Sequence, residues 1–147
     1  MPRSDAVDDW REILIAVAAL ETGLLEAFAE GRTPGEAARE AGLDARASRI
    51  VGLALAALGY LEEGPGGRLA PTARGRALLA PPGPDEDPAG DLHLSARAIG
   101  FHLRLPEALR AGAPPDDVSG GDAVQRERFL RAMRHIASAR APGAVAA

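Results

Sequence analysis

The sequence predicts an all-α, mainly helical fold class with one small β wing, and two observations carry this prediction. Capping residues and glycines divide residues 33–79 into helix, turn, helix, hairpin and helix, the order of a winged helix-turn-helix unit. Apolar residues also recur every three or four positions before and after this stretch, as they do in amphipathic helices. No series of strands that could build a parallel sheet is visible.

The composition excludes several classes of protein. A chain of 147 residues can bury one core, or form a small domain with a helical appendage. It has no Cys, which excludes a disulfide framework and a thiolate metal site. The net charge of −4 weakens any attraction to nucleic acid or to an anionic membrane. The longest apolar run, ILIAVAAL, is too short to span a bilayer, and no secretory signal is visible, so we expect a cytoplasmic protein.

The first helical stretch is predicted over residues 5–30, with a break at Thr22-Gly23. Its apolar positions follow a spacing of three and four residues: Trp10, Ile13, Val17, Leu20, Leu24 and Phe28. Further apolar residues, Leu14 among them, widen this stripe beyond what one core contact requires. Because so wide an apolar surface would otherwise face water, we favour a helix shared between core and dimer interface over an ordinary buried helix. The first four positions of the stripe, Trp10, Ile13, Val17 and Leu20, are the interface candidates.

A helix start follows at Thr33, Pro34 and Glu36. The Thr side chain can accept a hydrogen bond from a backbone N–H, and Pro suits the first helical position. Glu at the third helical position can accept in return from the backbone N–H of the Thr. Gly42 is predicted to end this short helix with a positive φ, and Gly59 to end the next one.

The second helix, Asp44–Gly59, has a face that is poorly suited to reading DNA. Apolar side chains cover more than half of its circumference, and small or polar residues hold the rest: Ala45, Ser48, Arg49, Gly52, Ala56 and Gly59. Arg49 is the one cation there, and the face lacks the Asn, Gln or Lys that read base edges. Gly52 and Ala56 form a smooth strip that another helix can approach closely, so we predict both at a dimer interface.

A short hairpin is predicted next, with its turn at Pro65-Gly66-Gly67, and Thr72 then caps the helix ARGRALLA. Residues 5–80 are therefore predicted to be a winged-helix dimerisation domain. Residues 81–90, rich in proline and acid, are predicted to be a linker. Their acids lack the alternating pattern and turn glycine of a calcium loop, so we interpret them as a solvated turn.

Residues 91–147 are predicted to be helical in two stretches. The first runs from Asp91 to Gly112, with a kink or a fresh start at Pro106. The second begins at Asp122 in capping-box fashion and carries one apolar arc: Phe129, Leu130, Ala132, Met133, Ile136 and Ala137. Three scattered histidines and the absence of a glycine-rich strand–turn–helix leave no catalytic, cofactor-binding or metal-binding residues to predict.

In order and spacing, these motifs resemble the N-terminal domain of class I S-adenosylmethionine (SAM)-dependent O-methyltransferases, which include plant phenylpropanoid and bacterial natural-product enzymes. The similar segments are AALETGLLEAFAEG, TPGEAAREAGLDARASRIVGLALAALGYLEE, LPEALRAG and FLRAMRHIASARAP. The resemblance implies a homodimerisation domain in which residues 91–147 form a substrate lid and connector to a catalytic domain. It also implies SAM as the cofactor of the full-length enzyme, and a small hydroxylated acceptor that is aromatic or polyketide-like.

On this resemblance, we expect a chain truncated before the SAM-binding domain, with no catalysis of its own. Five matched positions are candidates to line the acceptor pocket, with a core role as the alternative for each: Phe101, His102, Leu105, Phe129 and Met133. His102 stands where the family often has Trp. The alternative function is a winged-helix transcription regulator with a helical dimerisation tail, which a basic reading helix would have favoured. We expect no specific nucleic-acid partner and no membrane partner.

Overall fold

A computed structural model describes residues 9–83 and 86–113, together with positions 127 and 130. The chain divides into two units, Met1–Pro81 and Pro82–Ala147, and each is described by itself. The elements of the first unit are α1 (Asp9–Glu21), α2 (Leu24–Ala27), α3 (Pro34–Ala41), α4 (Ala45–Ala57), β1 (Leu61–Gly64), β2 (Arg68–Pro71) and α5 (Ala73–Leu79). Those of the second unit are α6 (Pro88–Leu103) and α7 (Leu105–Ala111). The predicted mainly helical class with a small wing is confirmed.

The predicted break between the first two helices lies at Thr22-Gly23. Gly23 has a φ of 73°, which a side chain would strain, and α2 begins directly after it. The Thr22 hydroxyl donates to the Ala18 carbonyl at 2.7 Å and so ends α1 with a side-chain bond. The chain can therefore turn sharply and place α2 across the core.

The start of α3 is the predicted capping box. Glu36 N donates to Thr33 Oγ1 at 3.4 Å, and Thr33 N donates to Glu36 Oε2 at 2.9 Å. The Thr33 bonds lower the pKa of Glu36, the backbone N–H most of all, and the Arg68 guanidinium adds to the shift. Because Arg68 also bonds both carboxylate oxygens at 3.1 and 3.2 Å, one Glu caps α3 and ties it to the wing.

The wing is an antiparallel pair in which Leu61 of β1 lies opposite Pro71 of β2. Its turn, Pro65–Gly67, contains two glycines with φ near 70°, which explains the Gly-Gly pair. Arg32 extends this small sheet by a β-bridge to Leu69, with N–H···O distances of 3.1 and 2.8 Å in the two directions. The wing is thereby fastened to the segment that precedes α3.

The core of the first unit brings residues of α1 to α5 together with the wing. Its large fully buried side chains are Phe28, Leu25, Leu55, Leu69 and Pro71. Alanines from α1, α2 and α3 fill the space between them, so the helices approach one another closely.

A polar cluster fastens α1 to the opposite side of the same core. Tyr60, which is buried, donates from its hydroxyl to Glu12 Oε1 at 2.8 Å. Arg74 forms an ion pair with the same carboxylate, and its guanidinium stacks 4.2 Å from the Tyr60 ring centroid. One contact set therefore fixes α1, the end of α4 and α5 relative to one another.

In the second unit, α6 begins at Pro88, because the side chain of Asp87 accepts from Gly90 N at 2.8 Å and caps it. The helix predicted from Asp91 therefore begins three residues earlier, and the division into domains with a linker at 81–90 stays a prediction. The fresh start at Pro106 is confirmed, since α6 ends at Leu103 and α7 carries Pro106 in its first turn.

Several predictions fall on residues that the structure does not describe. The loop after Gly112, the capping box at Asp122 and the apolar arc of the last helix lie outside the described residues, apart from positions 127 and 130. Among the helices in the described ranges, none combines the length and the hydropathy needed to cross a bilayer.

Gly75 provides a test of the packing between α5 and the wing. A Cβ at this position would overlap the Tyr60 carbonyl oxygen, so Gly75→Ala is expected to destabilise the fold by about 3 kcal/mol. Gly35→Ala is the matched control, because no atom lies within 4 Å of its Cβ and the substitution is expected to stabilise by about 0.5 kcal/mol. Urea unfolding measures both; equal effects would contradict the packing described.

Candidate interaction surface and lid segment

Helix α4 buries two small residues together with one leucine, and it exposes two large apolar residues. Ser48, Gly52 and Leu55 are buried. Ile50 and Leu53 face away from the core and are 59% and 47% exposed. The side of α4 that is opposite the core therefore has an apolar centre.

The close approach of Gly52 to the core explains why α4 is rotated about its axis so that Ile50 and Leu53 face outward. A Cβ on Gly52 would lie 3.1 Å from both Phe28 Cζ and Leu69 Cδ1, which is tighter than ordinary van der Waals contact. The missing side chain lets the backbone of α4 come down onto the Phe28 ring. The smooth strip predicted at Gly52 and Ala56 is therefore packed at Gly52 against Phe28 and Leu69 of the same chain.

The prediction that Gly52 lies at a dimer interface is therefore wrong. Its surface is occupied by Phe28 and Leu69 of its own chain. Ala56, the other residue of the predicted strip, is half-buried at the side of α4, so its interface role stays a prediction.

The buried face of α4 contains one unusual polar group. The hydroxyl of Ser48 is buried and has no hydrogen-bond partner among the described residues. An unsatisfied buried hydroxyl costs about 1–3 kcal/mol. Ser48 lies one turn before Gly52 on the side that packs against the core.

Helix α1 divides its wide apolar stripe between the core and the outside. Trp10 and Leu14 are 44% and 37% exposed, whereas Val17 is only 7% exposed. Ile13 and Leu20 are half-buried. The interface roles predicted for Trp10, Ile13, Val17 and Leu20 remain predictions, and the exposed fractions favour Trp10 among them.

The exposed large apolar side chains of the first unit lie on these two helices. Within residues 9–83 they are Trp10, Leu14, Ile50 and Leu53, and α1 packs against α4. Patches of several large apolar side chains on soluble proteins commonly mark interaction sites. We call these four residues the α1/α4 surface.

Sequence reasoning missed Ile50 and Leu53 as surface residues. A helical wheel shows two faces of α4 and does not say which one meets the core. The signal that could have found them is the pair of small residues Ser48 and Gly52, four positions apart, because small residues suit the closest helix contact.

The arginines near the wing are engaged within the chain. Arg68 bonds Glu36 and also donates to the Gly31 carbonyl at 2.8 Å. Arg74 bonds Glu12 and the Leu58 carbonyl, the latter at 2.8 Å. These cations would have to leave protein partners before they could contact phosphates of a duplex.

A shallow cleft of about 440 Å³ lies beside these ion pairs. Its charged lining is balanced, with three glutamates against three arginines: Glu30, Glu36, Glu40, Arg32, Arg39 and Arg68. Arg68 pairs with Glu36, and Arg32 lies 3.9 Å from Glu40. Since this lining has no net charge, it does not favour an anion. Across residues 9–83 and 86–113, no cluster of three or more acids and histidines has the arrangement of a metal site.

Three of the predicted pocket residues lie close together in sequence at the junction of α6 and α7. Phe101 is half-buried, and the Arg97 guanidinium lies 5.5 Å from its ring centroid. His102 is exposed, with Nδ1 2.7 Å from the Ala98 carbonyl oxygen, and Leu105 is exposed at the first position of α7. Phe129 and Met133 lie outside the described residues. The pocket role of all five stays a prediction.

The fold is similar to those of solved methyltransferases. An O-methyltransferase family protein from Burkholderia thailandensis matches 89% of this chain with a TM-score of 0.70 and 27% identity, and the match covers 40% of that protein. Mitomycin 7-O-methyltransferase matches 97% of this chain with a TM-score of 0.66 and 26% identity, over 45% of its own length.

Human N-acetylserotonin methyltransferase, solved in complex with SAM, shares the fold at 17% identity. It matches 95% of this chain with a TM-score of 0.65, over 48% of its own length. No protein-family model and no curated protein matches the chain in sequence.

The chain thus spans less than half the length of each of these proteins. The similarity nevertheless extends over most of this chain. The resemblance predicted from the sequence is confirmed: the structure matches part of the class I SAM-dependent O-methyltransferase family proteins.

Proposed function

We propose that this chain is the dimerisation and substrate-lid part of a SAM-dependent O-methyltransferase. The similarity to two O-methyltransferases at 27% and 26% identity supports the class of enzyme. The coverage of less than half of each protein supports the assignment of a part. SAM, with which N-acetylserotonin methyltransferase was solved, would bind in the remainder of the enzyme. The observation that carries the dimerisation role is the α1/α4 surface, which leaves four large apolar side chains in water in a single chain.

The lid role rests on the segment that joins α6 to α7. Phe101 and Leu105 supply apolar surface for a small acceptor and exclude water from it. His102 Nδ1 lies 2.7 Å from the Ala98 carbonyl oxygen, and since a carbonyl only accepts, this hydrogen bond requires the proton on Nδ1. In the neutral ring Nε2 is then an acceptor, which suits the hydroxyl group of an acceptor molecule. SAM, bound elsewhere in the enzyme, would supply the methyl group.

The exposed face of α4 argues against the alternative of a transcription regulator. A reading helix places polar and basic side chains at the centre of the face that enters the major groove. On α4 that centre is formed by Ile50 and Leu53, and the exposed cations Arg46 and Arg49 flank it. A protein surface suits this face better than a base edge does.

Association in solution tests the dimerisation role. We expect sedimentation equilibrium at tens of micromolar to give the mass of a dimer, a concentration at which a modest interface holds. Leu53→Glu is expected to weaken association at least 100-fold, because a two-fold dimer would bury two unpaired carboxylates. Leu109→Glu is the matched control, since Leu109 is 76% exposed on α7 in the second unit. A monomeric wild-type chain, or equal effects of both variants, would contradict the role.

Selection from random duplexes tests the alternative. At physiological salt we expect no enriched sequence, because Arg68 and Arg74 are held by Glu36 and Glu12. Enrichment of one half-site that is lost with Arg49→Ala, and retained with Arg39→Ala as the control, would establish the regulator in place of the methyltransferase part.

A further inference from the structure

The carboxylate of Glu36 accepts hydrogen bonds from two separate parts of the first unit. At the start of α3, the Thr33 backbone N–H donates to it at 2.9 Å and the Thr33 hydroxyl at 3.0 Å. From the wing, the two terminal nitrogens of Arg68 donate to it at 3.1 and 3.2 Å. Because Oε2 accepts three of these four bonds, the helix cap and the bond to the wing depend on the same atom.

The bond to Arg68 lies beside the residue that supports α4. Leu69 follows Arg68 on β2, is 1% exposed, and forms the β-bridge with Arg32 directly before Thr33. Leu69 Cδ1 also packs against α4 at Gly52. The bond to Glu36, the β-bridge and the support of α4 are therefore adjacent along β2.

The charged groups around Glu36 favour its ionised form. Those that line the same cleft are Arg68 from β2, Arg32 from the segment before α3, Arg39 and Glu40 from α3, and Glu30 from the segment after α2. The pKa of Glu36 is lowered, mostly by the hydrogen bonds from Thr33 and also by Arg68, whereas desolvation opposes the shift.

A proton on Glu36 weakens both sets of bonds. A neutral carboxyl group has no charge to attract the Arg68 guanidinium, and it keeps fewer acceptor sites than four donors need. Because the folded pKa is lowered, the stability that Glu36 contributes is present above the ordinary value of 4.5 and is lost as the pH falls through the folded pKa. The start of α3 and the wing then lose their common bond in one titration step.

We propose that Glu36 is a pH-sensitive switch: its ionised carboxylate holds the wing to the start of α3, and its protonation loosens both elements together and weakens the support of α4 by Leu69. This inference is independent of the function proposed above, because Glu36, Arg68 and Leu69 lie outside the α1/α4 surface. It assigns to the wing a conformational role.

An acid titration of the whole chain, followed by NMR, tests the coupling. The reporters are the backbone amides of Thr33 at the cap and of Leu69 in the wing, since each donates a hydrogen bond in these contacts. We expect both signals to shift with one common midpoint below 4.5. The amide of Ala80, which donates to the Arg76 carbonyl at the end of α5, is expected not to follow. Different midpoints at the cap and in the wing would overturn the proposal.

Two glutamine variants identify the group that titrates. Glu36→Gln keeps an acceptor at the third helical position and removes the charge, so neither reporter is expected to show the transition. Glu40→Gln is the matched control, because Glu40 lies on α3 in the same cleft and pairs with Arg32, and the common transition is expected to persist. A transition that persists at Leu69 in Glu36→Gln would belong to another acid, such as Glu63 opposite Leu69 in the ladder, and would contradict the switch.

Arg68→Gln separates the wing from the cap. The Thr33 amide is expected to keep its transition, because the Thr33 bonds are the largest cause of the lowered pKa, whereas the Leu69 amide is expected to lose it. At neutral pH, hydrogen exchange at the amides of Leu69 and Gly52 is expected to be about fivefold faster in Arg68→Gln and in Glu36→Gln than in the wild type. Wild-type exchange at Leu69 in both variants would show that the bond does not hold the wing, and would refute the proposal.

Discussion

The contact between Gly52 and the ring of Phe28 fixes the rotation of α4, and most of the outer surface of the first unit depends on it. Because Gly52 has no side chain, the backbone of α4 can lie against Phe28 and Leu69, and the face that holds Gly52 becomes the buried one. Ile50 and Leu53 then point outward into water, although both side chains are hydrophobic. A Cβ at residue 52 would push the helix away from the core or force the Phe28 ring to move.

Because of this rotation, the surface of the unit does not match the function that its order of elements suggests. The order of α3, α4 and the wing is that of proteins that read DNA, but fold alone does not assign a function. The surface argues otherwise: α4 offers an apolar centre, and Arg68 of the wing and Arg74 of α5 are bound to carboxylates of their own chain. The same scaffold thus suits a protein partner. The fold is similar to part of much longer O-methyltransferases.

The elements that local chemistry decides could be predicted from the sequence, and the rotation of α4 could not. Three features depend only on residues that are close in sequence: the capping box of Thr33 and Glu36, the break at Gly23 and the Gly66-Gly67 turn. The sequence pattern around each of them is therefore enough to predict it. The buried face of α4 depends on Phe28 and Leu69, which come from distant parts of the chain. Because α4 has apolar residues on both faces, a helical wheel does not show which face is buried. The start of α6 at Pro88 was missed because the cap at Asp87 lies within a stretch whose prolines and acids indicate a loop.

Trp10, the single Trp of the chain, provides the most direct measurement of the central claim that α1 and α4 form an interface with a second copy. Trp10 is 44% exposed in a single chain and would be covered in the proposed dimer. On dilution from tens of micromolar, we expect the fluorescence emission of Trp10 to shift to longer wavelength with the midpoint of dissociation, and Leu53→Glu to show the shifted spectrum at every concentration. A spectrum that stays constant while the mass falls from dimer to monomer would contradict the account.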